Sequence, residues 1–299
     1  MRFGGGLRSV PGHIRQPPYA ATGKVRPPEF HRWWQDPESA ETIEKLRVAG
    51  RFAREMLDLS CRLAEPGVTS DEIDRIVHER IVLGGAYPAP LNYMGFPKSI
   101  CSSPNDVCCH GIPDDRPLEK GDLVSFDVSL YLDGVFGDNC ATVHVGHQKK
   151  RRDLEALDDD EEEESSDEKG ALMDLTKVAL ENAVAAMGPG VCLTRVGEII
   201  TDVAEARGFG VVDQYCGHGI GTTFHAPPLV QHTRNHDTFL LRPGHVFTIE
   251  PIITMRPSTT SVDPDDKWTV RTDDPTNLAA QFEHMVLITD HGHDILTLP

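Results

Sequence analysis

The chain has 299 residues, 39% of them hydrophobic, with 29 lysines and arginines against 47 aspartates and glutamates, a formal charge of −18. That length holds one large domain or two ordinary ones and buries a core without help from disulfides. No apolar run approaches the ~18 residues of a membrane span, and no basic face is concentrated enough to grip phosphates, so neither a membrane nor a nucleic acid is an expected partner.

Residues 1–28 carry five basic residues, five prolines and no acid. The prolines prevent a long amphipathic helix, which disfavours an organellar transit helix, and no apolar core of a secretory signal follows Met1. The expectation is an extended arm over residues 1–37 lying on a globular domain at 38–299. The seven cysteines, Cys61, Cys101, Cys108, Cys109, Cys140, Cys192 and Cys216, are odd in number and show no C-x-x-C spacing. They read as a reduced, cytoplasmic inventory.

Ser39 with Thr42 and Glu44 opens a helix, and Ile43, Leu46, Ala49, Phe52, Ala53, Met56 and Leu57 follow at three- and four-residue spacing. It stops near Glu65-Pro66-Gly67. Thr69-Ser70-Asp71-Glu72 then starts a second helix carrying Ile73, Ile76, Val77 and Ile81. Similar signals recur later: Ala171 to Met187 is helical, Gly188-Pro189-Gly190 breaks it, and Thr194 to Arg207 forms another helix ending at Gly208. Both halves read as helix, Pro-Gly break, shorter helix and β-rich segments, an internal duplication of an α+β unit. Between them, Lys149-Lys150-Arg151-Arg152 precedes a tract with eleven acids from Asp153 to Glu168. This tract cannot bury apolar surface and is expected to be a disordered insertion at about 149–169 in a surface loop. Its charge also suits a basic ribosomal surface, and Ser165 and Ser166 sit among acids as acidophilic kinases prefer.

Leu123 to Leu132 alternates strictly, Asp133-Gly134 is a hairpin signal, and Val135 to Val145 can return as the partner strand. With those two residues as the turn, Asp138 faces Ser129 and Asp127 faces Cys140, which makes the two carboxylates diagonal neighbours on one face. Like charges so placed repel unless a cation lies between them, although the pair alone reads equally as two unrelated aspartates. Further on, Tyr215-Cys216-Gly217-His218-Gly219-Ile220-Gly221 is expected to bend tightly around its histidine, and Phe224-His225 follows. Val246 to Pro251 and Ala280 to His284 place Glu250 and Glu283 inside apolar, strand-like segments, where a glutamate demands a charge partner. Four carboxylates and an imidazole on such segments fit a two-metal site of hard to intermediate character.

The succession Asp127, Asp138, Gly217-His218-Gly219-Ile220-Gly221, Phe224-His225, Thr248-Ile249-Glu250-Pro251 and Gln281-Phe282-Glu283-His284 resembles the type 1 methionine aminopeptidases. The likeness runs from about Pro37 to the C-terminus and includes Leu91-Asn92-Tyr93, Phe96-Pro97-Lys98-Ser99 and Cys109-His110-Gly111-Ile112-Pro113. It implies the pita-bread (aminopeptidase/creatinase-like) fold, a pseudo-twofold duplicated antiparallel sheet covered by helices. It also implies that Asp127, Asp138, His218, Glu250 and Glu283 ligate two divalent ions (Co, Mn, Fe or Zn), with Asp138 and Glu283 bridging. A water acidified by the ions would attack, with Glu250 assisting proton transfer. His225 would polarise the scissile carbonyl, and His110 would meet the departing peptide nitrogen. Tyr93, Phe96, Cys101, Phe224 and Trp268 would wall the methionine pocket, with His110 and His225 at its substrate contacts, since a thioether packs well on rings and sulfur. The substrate implied is the N-terminal methionyl peptide of a nascent chain whose second residue is small.

Met94-Gly95, between two pocket residues, is a pairing the family varies, and no Cys/His finger precedes the arm for ribosome docking. Two other readings use the same fold. An Xaa-Pro aminopeptidase shares the five ligands but usually carries a substantial N-terminal domain, whereas about 38 residues precede the first helix here. A metal-free peptide-binding module typically loses ligands. A type 2 enzyme needs a helical insertion for which His225 to Glu250 is too short.

Overall fold

The computed structural model describes residues 7–25, 37–147 and 168–299. The basic and acidic tract lies outside the described residues, except for its last acid, Glu168. The first half opens with α1 (Ala40–Leu63), whose Ser39 side chain accepts from the Thr42 N–H, and α2 (Ser70–Leu83), closed by a reciprocal capping box of Thr69 and Glu72. Each cap satisfies amide donors that the first helical turn leaves without partners. The strands β1 (Tyr87–Pro88), β2 (Cys101–Pro104) and β3 (Val107–Cys109) follow, then the hairpin β4 (Leu123–Leu132) and β5 (Val135–His144).

Asp133 and Gly134 both take positive φ, 49° and 96°, as expected of a two-residue turn whose twist matches its strands. The resulting register pairs Asp127 with Cys140 and Ser129 with Asp138, as the position of the turn predicts.

The second half repeats the plan with α3 (Glu168–Ala185) and α4 (Thr194–Glu205). Short strands follow: β6 (Gly210–Val211), β7 (Gly217–Gly219), β8 (Ala226–Val230), β9 (Val246–Ile249) and β10 (Ile252–Thr254). The chain ends with β11 (Thr260–Val262), β12 (Val270–Thr272), β13 (Ala279–Gln281), β14 (His284–Ile288) and β15 (His293–Ile295). β4 pairs with β5 on one edge and with β1 and β2 on the other. The order β15-β14-β9-β7-β8 forms a five-stranded sheet, with smaller sheets β13-β10-β6 and β11-β12-β3.

Two buried clusters sit beneath the two helix pairs. Leu46, Ile73, Ile81, Phe126 and Leu130 belong to the first, and Leu172, Leu180, Ile200, Phe247 and Ile253 to the second. Each such side chain contributes roughly 1.5–3 kcal/mol by leaving water. α1 lies so close to β5 that a Cβ on Gly137 would stand 2.5 Å from the Ala49 carbonyl oxygen.

Residues 7–25 lie on the first half. Ile14 and Tyr19 are buried in its core, and the Arg8 guanidinium pairs with Asp74 at 2.6 Å and Asp71 at 2.7 Å. This stretch is not extended throughout. Ile14 N–H donates to Pro11 O, and Ala20 N–H to Pro17 O, so two of the prolines open turns.

Candidate metal centre and peptide cleft

Two chain passages meet at one place in the second half. β9 belongs to the five-stranded sheet and β10 to a three-stranded one, and Glu250 and Pro251 are the step between them. The return passage steps from β13 to β14 through Phe282 and Glu283. Because His284 pairs with Ile249 and Gln281 with Ile252, the continued register sets Glu250 opposite Glu283. The glutamates therefore stand at breaks between sheets rather than inside strands. At a break the side chain leaves the pleat and turns into the space between the two halves.

His218 lies in the middle of β7, not in a tight bend. Gly217 serves close packing: a Cβ there would stand 2.2 Å from the Thr248 carbonyl oxygen of β9. Across that short gap the Thr248 hydroxyl accepts from the His218 N–H at 3.0 Å and donates to Glu250 Oε1 at 2.9 Å. The imidazole Nε2 stands 3.6 Å from both Asp138 Oδ2 and Glu250 Oε1. Asp138, His218 and Glu283 are all buried and each offers a ligand atom within 4.8 Å of the others. Asp127 joins them through Ser129, whose hydroxyl lies 2.7 Å from Asp138 Oδ1 and 3.4 Å from Asp127 Oδ1.

This cluster is unstable as bare charge. Burial, then the charges of Asp138 and Glu250, push Asp127 well above the usual carboxylate range. Burial, then Asp138, Glu250 and Asp127, do the same to Glu283. Burial raises Glu250 to about 7 against the opposing pull of His218. Glu283 Oε1 is buried with no hydrogen-bond partner among the described residues. An unsatisfied carboxylate oxygen among mutually repelling acids and one imidazole fits a divalent cation, which removes both penalties at once.

The opposite wall is apolar. A cavity of about 300 Å³ is lined by all twelve residues singled out from the sequence: Asp127, Asp138, His218, Glu250 and Glu283 with Tyr93, Phe96, Cys101, His110, Phe224, His225 and Trp268. Phe96 meets Trp268 edge-on with ring centroids 5.2 Å apart, and Cys101 and Ile112 complete that cluster. Between the walls, His225 stacks beside His218 at 4.3 Å and Phe224 at 4.1 Å. Desolvation in the cleft, reinforced by His218 and His110, holds His225 well below the usual histidine range. Burial lowers His110 to about 4. Both are neutral near pH 7 and can donate one N–H.

The geometry has counterparts among known proteins. Residues 44–290 match the model of metallopeptidase family M24. The chain belongs to the M24 metallopeptidases. Within that family it is 43% identical to methionine aminopeptidase 1D, chloroplastic/mitochondrial, of Arabidopsis thaliana, over 97% of this chain and 77% of that protein. It is 42% identical to methionine aminopeptidase 2 of Mycobacterium tuberculosis, over 97% and 94%. The crystal structure of methionine aminopeptidase from Rickettsia prowazekii superposes with a TM-score of 0.79 at 38% identity, covering 88% of this chain and 99% of that one. The prolidase from Pyrococcus furiosus shares the pita-bread fold alone, with a TM-score of 0.64 at 21% identity over 88% and 65%. An M24 metallopeptidase uses divalent metal, and no helix of the described residues is long and apolar enough to cross a membrane.

Several residues of this M24 site escaped the sequence reading. Ser129 was legible in principle, since the hairpin register alone sets it opposite Asp138. Thr248 stands two residues from Glu250, on the same side of its strand. Tyr215, whose ring meets His110 at 5.2 Å, and His232, whose Nε2 accepts from the Glu250 N–H at 3.1 Å, carry no sequence signal. Met94 lines the cavity yet is 64% exposed, which places it at the rim.

Proposed function

We propose that the protein is a methionyl aminopeptidase that hydrolyses the first peptide bond of nascent chains, removing the initiator methionine when the second residue is small. The observation that carries this reading is the single cavity of about 300 Å³, with five candidate metal ligands on one wall and rings and a thiol on the other. In this reading Asp127, Asp138, His218, Glu250 and Glu283 would hold two divalent ions, of Co, Mn, Fe or Zn. Bound divalent ions supply Lewis acidity, which makes water nucleophilic near neutral pH and draws charge from a carbonyl.

The chain's own residues do the rest. Phe96, Cys101 and Trp268, with Tyr93 and Phe224, receive the methionine side chain and fix the scissile bond by burying it. Glu250 takes a proton from the attacking water and returns it to the departing amine. Neutral His225 donates an N–H to the carbonyl oxygen as negative charge grows there. His110 donates its N–H to the groups around the departing nitrogen. A snug methionine pocket beside the rim at Met94 leaves little space for a large second side chain.

Residues 1–37 as an arm and 38–299 as the catalytic domain, with an insertion at about 149–169, is the organisation that accompanies this reading. The compartment is a reducing one, the cytoplasm, in keeping with seven free cysteines. Some relatives carry chloroplastic or mitochondrial in their names, and imaging the full chain with a C-terminal tag separates the two. The ribosome, as the source of nascent chains, is the proposed macromolecular partner, to be checked by co-sedimentation.

The deciding assay uses protein purified without added ions, then loaded with one ion at a time, on Met-Ala-Ser, Met-Arg-Ser and Ala-Pro-Ser peptides. Only Met-Ala-Ser is expected to be cut. Equal rates on Met-Ala-Ser and Met-Arg-Ser refute the second-residue rule, and cleavage confined to Ala-Pro-Ser makes the protein an Xaa-Pro aminopeptidase instead.

A further inference from the structure

The loop from Ala89 to Phe96, tied internally by Asn92 N–H to Phe96 O at 2.8 Å and Phe96 N–H to Tyr93 O at 2.9 Å, carries Tyr93 into the cleft. Asn92, Met94 and Gly95 take φ of 60°, 49° and 89°, and side-chain-bearing residues persist in that left-handed region only where surroundings enforce it. Residues of the N-terminal arm supply part of those surroundings, beside the Tyr87 hydroxyl, which donates to the Leu91 carbonyl at 2.8 Å. The Tyr19 ring meets Tyr93 edge-on, with centroids 5.0 Å apart and planes at 88°. Its hydroxyl donates to the Ala89 carbonyl at 2.6 Å. Asn92 Nδ2 donates to the Ala20 carbonyl at 2.9 Å, and Gly23 passes so near that a Cβ there would stand 3.0 Å from Asn92 Oδ1.

On its far side, the Tyr93 hydroxyl lies 2.9 Å from His225 Nδ1. No other hydrogen bond to that hydroxyl occurs among the described residues, so its proton is best satisfied by donation to Nδ1. Nδ1 is then an acceptor, and the N–H of the ring resides on Nε2.

We propose that Tyr19 is a positioning residue of the peptidase: acting through the Ala89 to Phe96 loop, it sets where the Tyr93 hydroxyl stands and so fixes the orientation and tautomer of His225. The arm is thereby part of the reaction's apparatus. The kinetic consequence rests on the oxyanion role given to His225 above; the placement of the ring does not.

The test compares full-length wild type, Tyr19→Leu, Tyr93→Phe and the double variant, each checked for folding by near-ultraviolet circular dichroism. On Met-Ala-Ser each single substitution is expected to lower kcat about tenfold with KM within about twofold. Because both act on one hydrogen bond, the double variant should fall no more than about twofold below the weaker single. A double variant whose loss equals the product of the singles, or a wild-type kcat in Tyr19→Leu, overturns the proposal.

Long-range 15N NMR of the His225 imidazole in metal-free protein reads the placement without turnover. Wild type should show Nδ1 bare and Nε2 protonated, and both single variants should move the Nδ1 resonance in the same direction. An unmoved Nδ1 in Tyr19→Leu overturns the proposal. Should Tyr19→Leu not fold, Tyr19→Phe, which severs only the bond to Ala89, takes its place in the cycle: non-additivity supports the proposal and additivity overturns it. His225→Ala run alongside separates the two layers, since wild-type kcat there defeats the role of His225 and the kinetic half of the proposal, while the NMR result still decides whether Tyr19 sets the tautomer.

Discussion

The two halves of the molecule deliver their acidic groups to the cleft by different means. In the first half, Asp127 and Asp138 stand on one hairpin of two ten-residue strands, and a two-residue turn sets their relation. In the second, Glu250 and Glu283 stand at two breaks, 33 positions apart in the chain, where strands pass from one sheet to another. A hairpin keeps its register through local hydrogen bonds, so its ligands survive modest movement elsewhere. A break has no ladder of its own, and its geometry depends on how two sheets are packed. The first half also receives residues 7–25, with Tyr19 against Tyr93 and Ala20 against Asn92.

The comparison breaks most visibly at the ligands. Asp138→Ala and Glu283→Ala are each expected to abolish turnover of Met-Ala-Ser, by about a thousandfold or more, because either half supplies an indispensable group. Metal content, measured by mass spectrometry, should fall in both. Retained activity and metal in the Glu283 variant would mean that the second half contributes packing rather than ligands.

Gly217→Ala sharpens the claim that the second half depends on close sheet packing. The added methyl meets the backbone oxygen of Thr248 at 2.2 Å, so β7 must move away from β9. Overpacking of this kind costs about 1–3 kcal/mol, and the shift should also carry His218 away from Glu250. Chemical denaturation and turnover should both report the loss. Unchanged stability and turnover would show that β7 and β9 are not held at this distance.

A smaller effect concerns charge in the metal-free protein. Glu250 titrates near 7 in the fold against an ordinary value of 4.5, so the folded state holds its proton over that interval while the unfolded chain has released it. Its contribution to stability is present below about 4.5 and is lost as the pH rises through 7. Metal-free Glu250→Gln should therefore match wild type in Tm near pH 4.5 and exceed it by a few degrees above pH 7. Taking the difference between the two proteins cancels the histidines that stay neutral in the fold, and added divalent ion should reverse the order above pH 7. A Tm difference independent of pH would show that Glu250 is not strained as bare charge.

The smallest effect is expected between the halves. Replacing residues 149–166 with a Gly-Ser linker should leave turnover within about twofold, since the flanking β5 and α3 keep their own contacts and such an acidic tract has little apolar surface to offer a fold. A tenfold loss with metal content unchanged would mean that the tract reaches the cleft.

The helices and the β4–β5 hairpin were readable from residue order, because caps, turn chemistry and the two-residue alternation of a strand act over a few residues. The pairing of Asp127 with Cys140 followed from Asp133-Gly134 alone. Glu250 and Glu283 were recognisable as misplaced charges in apolar runs, but their mutual opposition was not, since it arises where separate sheets join. The glycines around His218 misled for a related reason: glycine marks either a bend or a close approach, and only the nearness of Thr248 on another strand distinguishes them. Ser129, Thr248 and His232 bond to Asp138, His218 and Glu250 through contacts that no periodicity announces. Tyr19 lies in a proline-rich stretch whose composition says nothing of where it docks. Local chemistry chose which groups this chain would use, and the packing of distant segments chose how they face one another, because side-chain convergence depends on distances that no short stretch of sequence encodes.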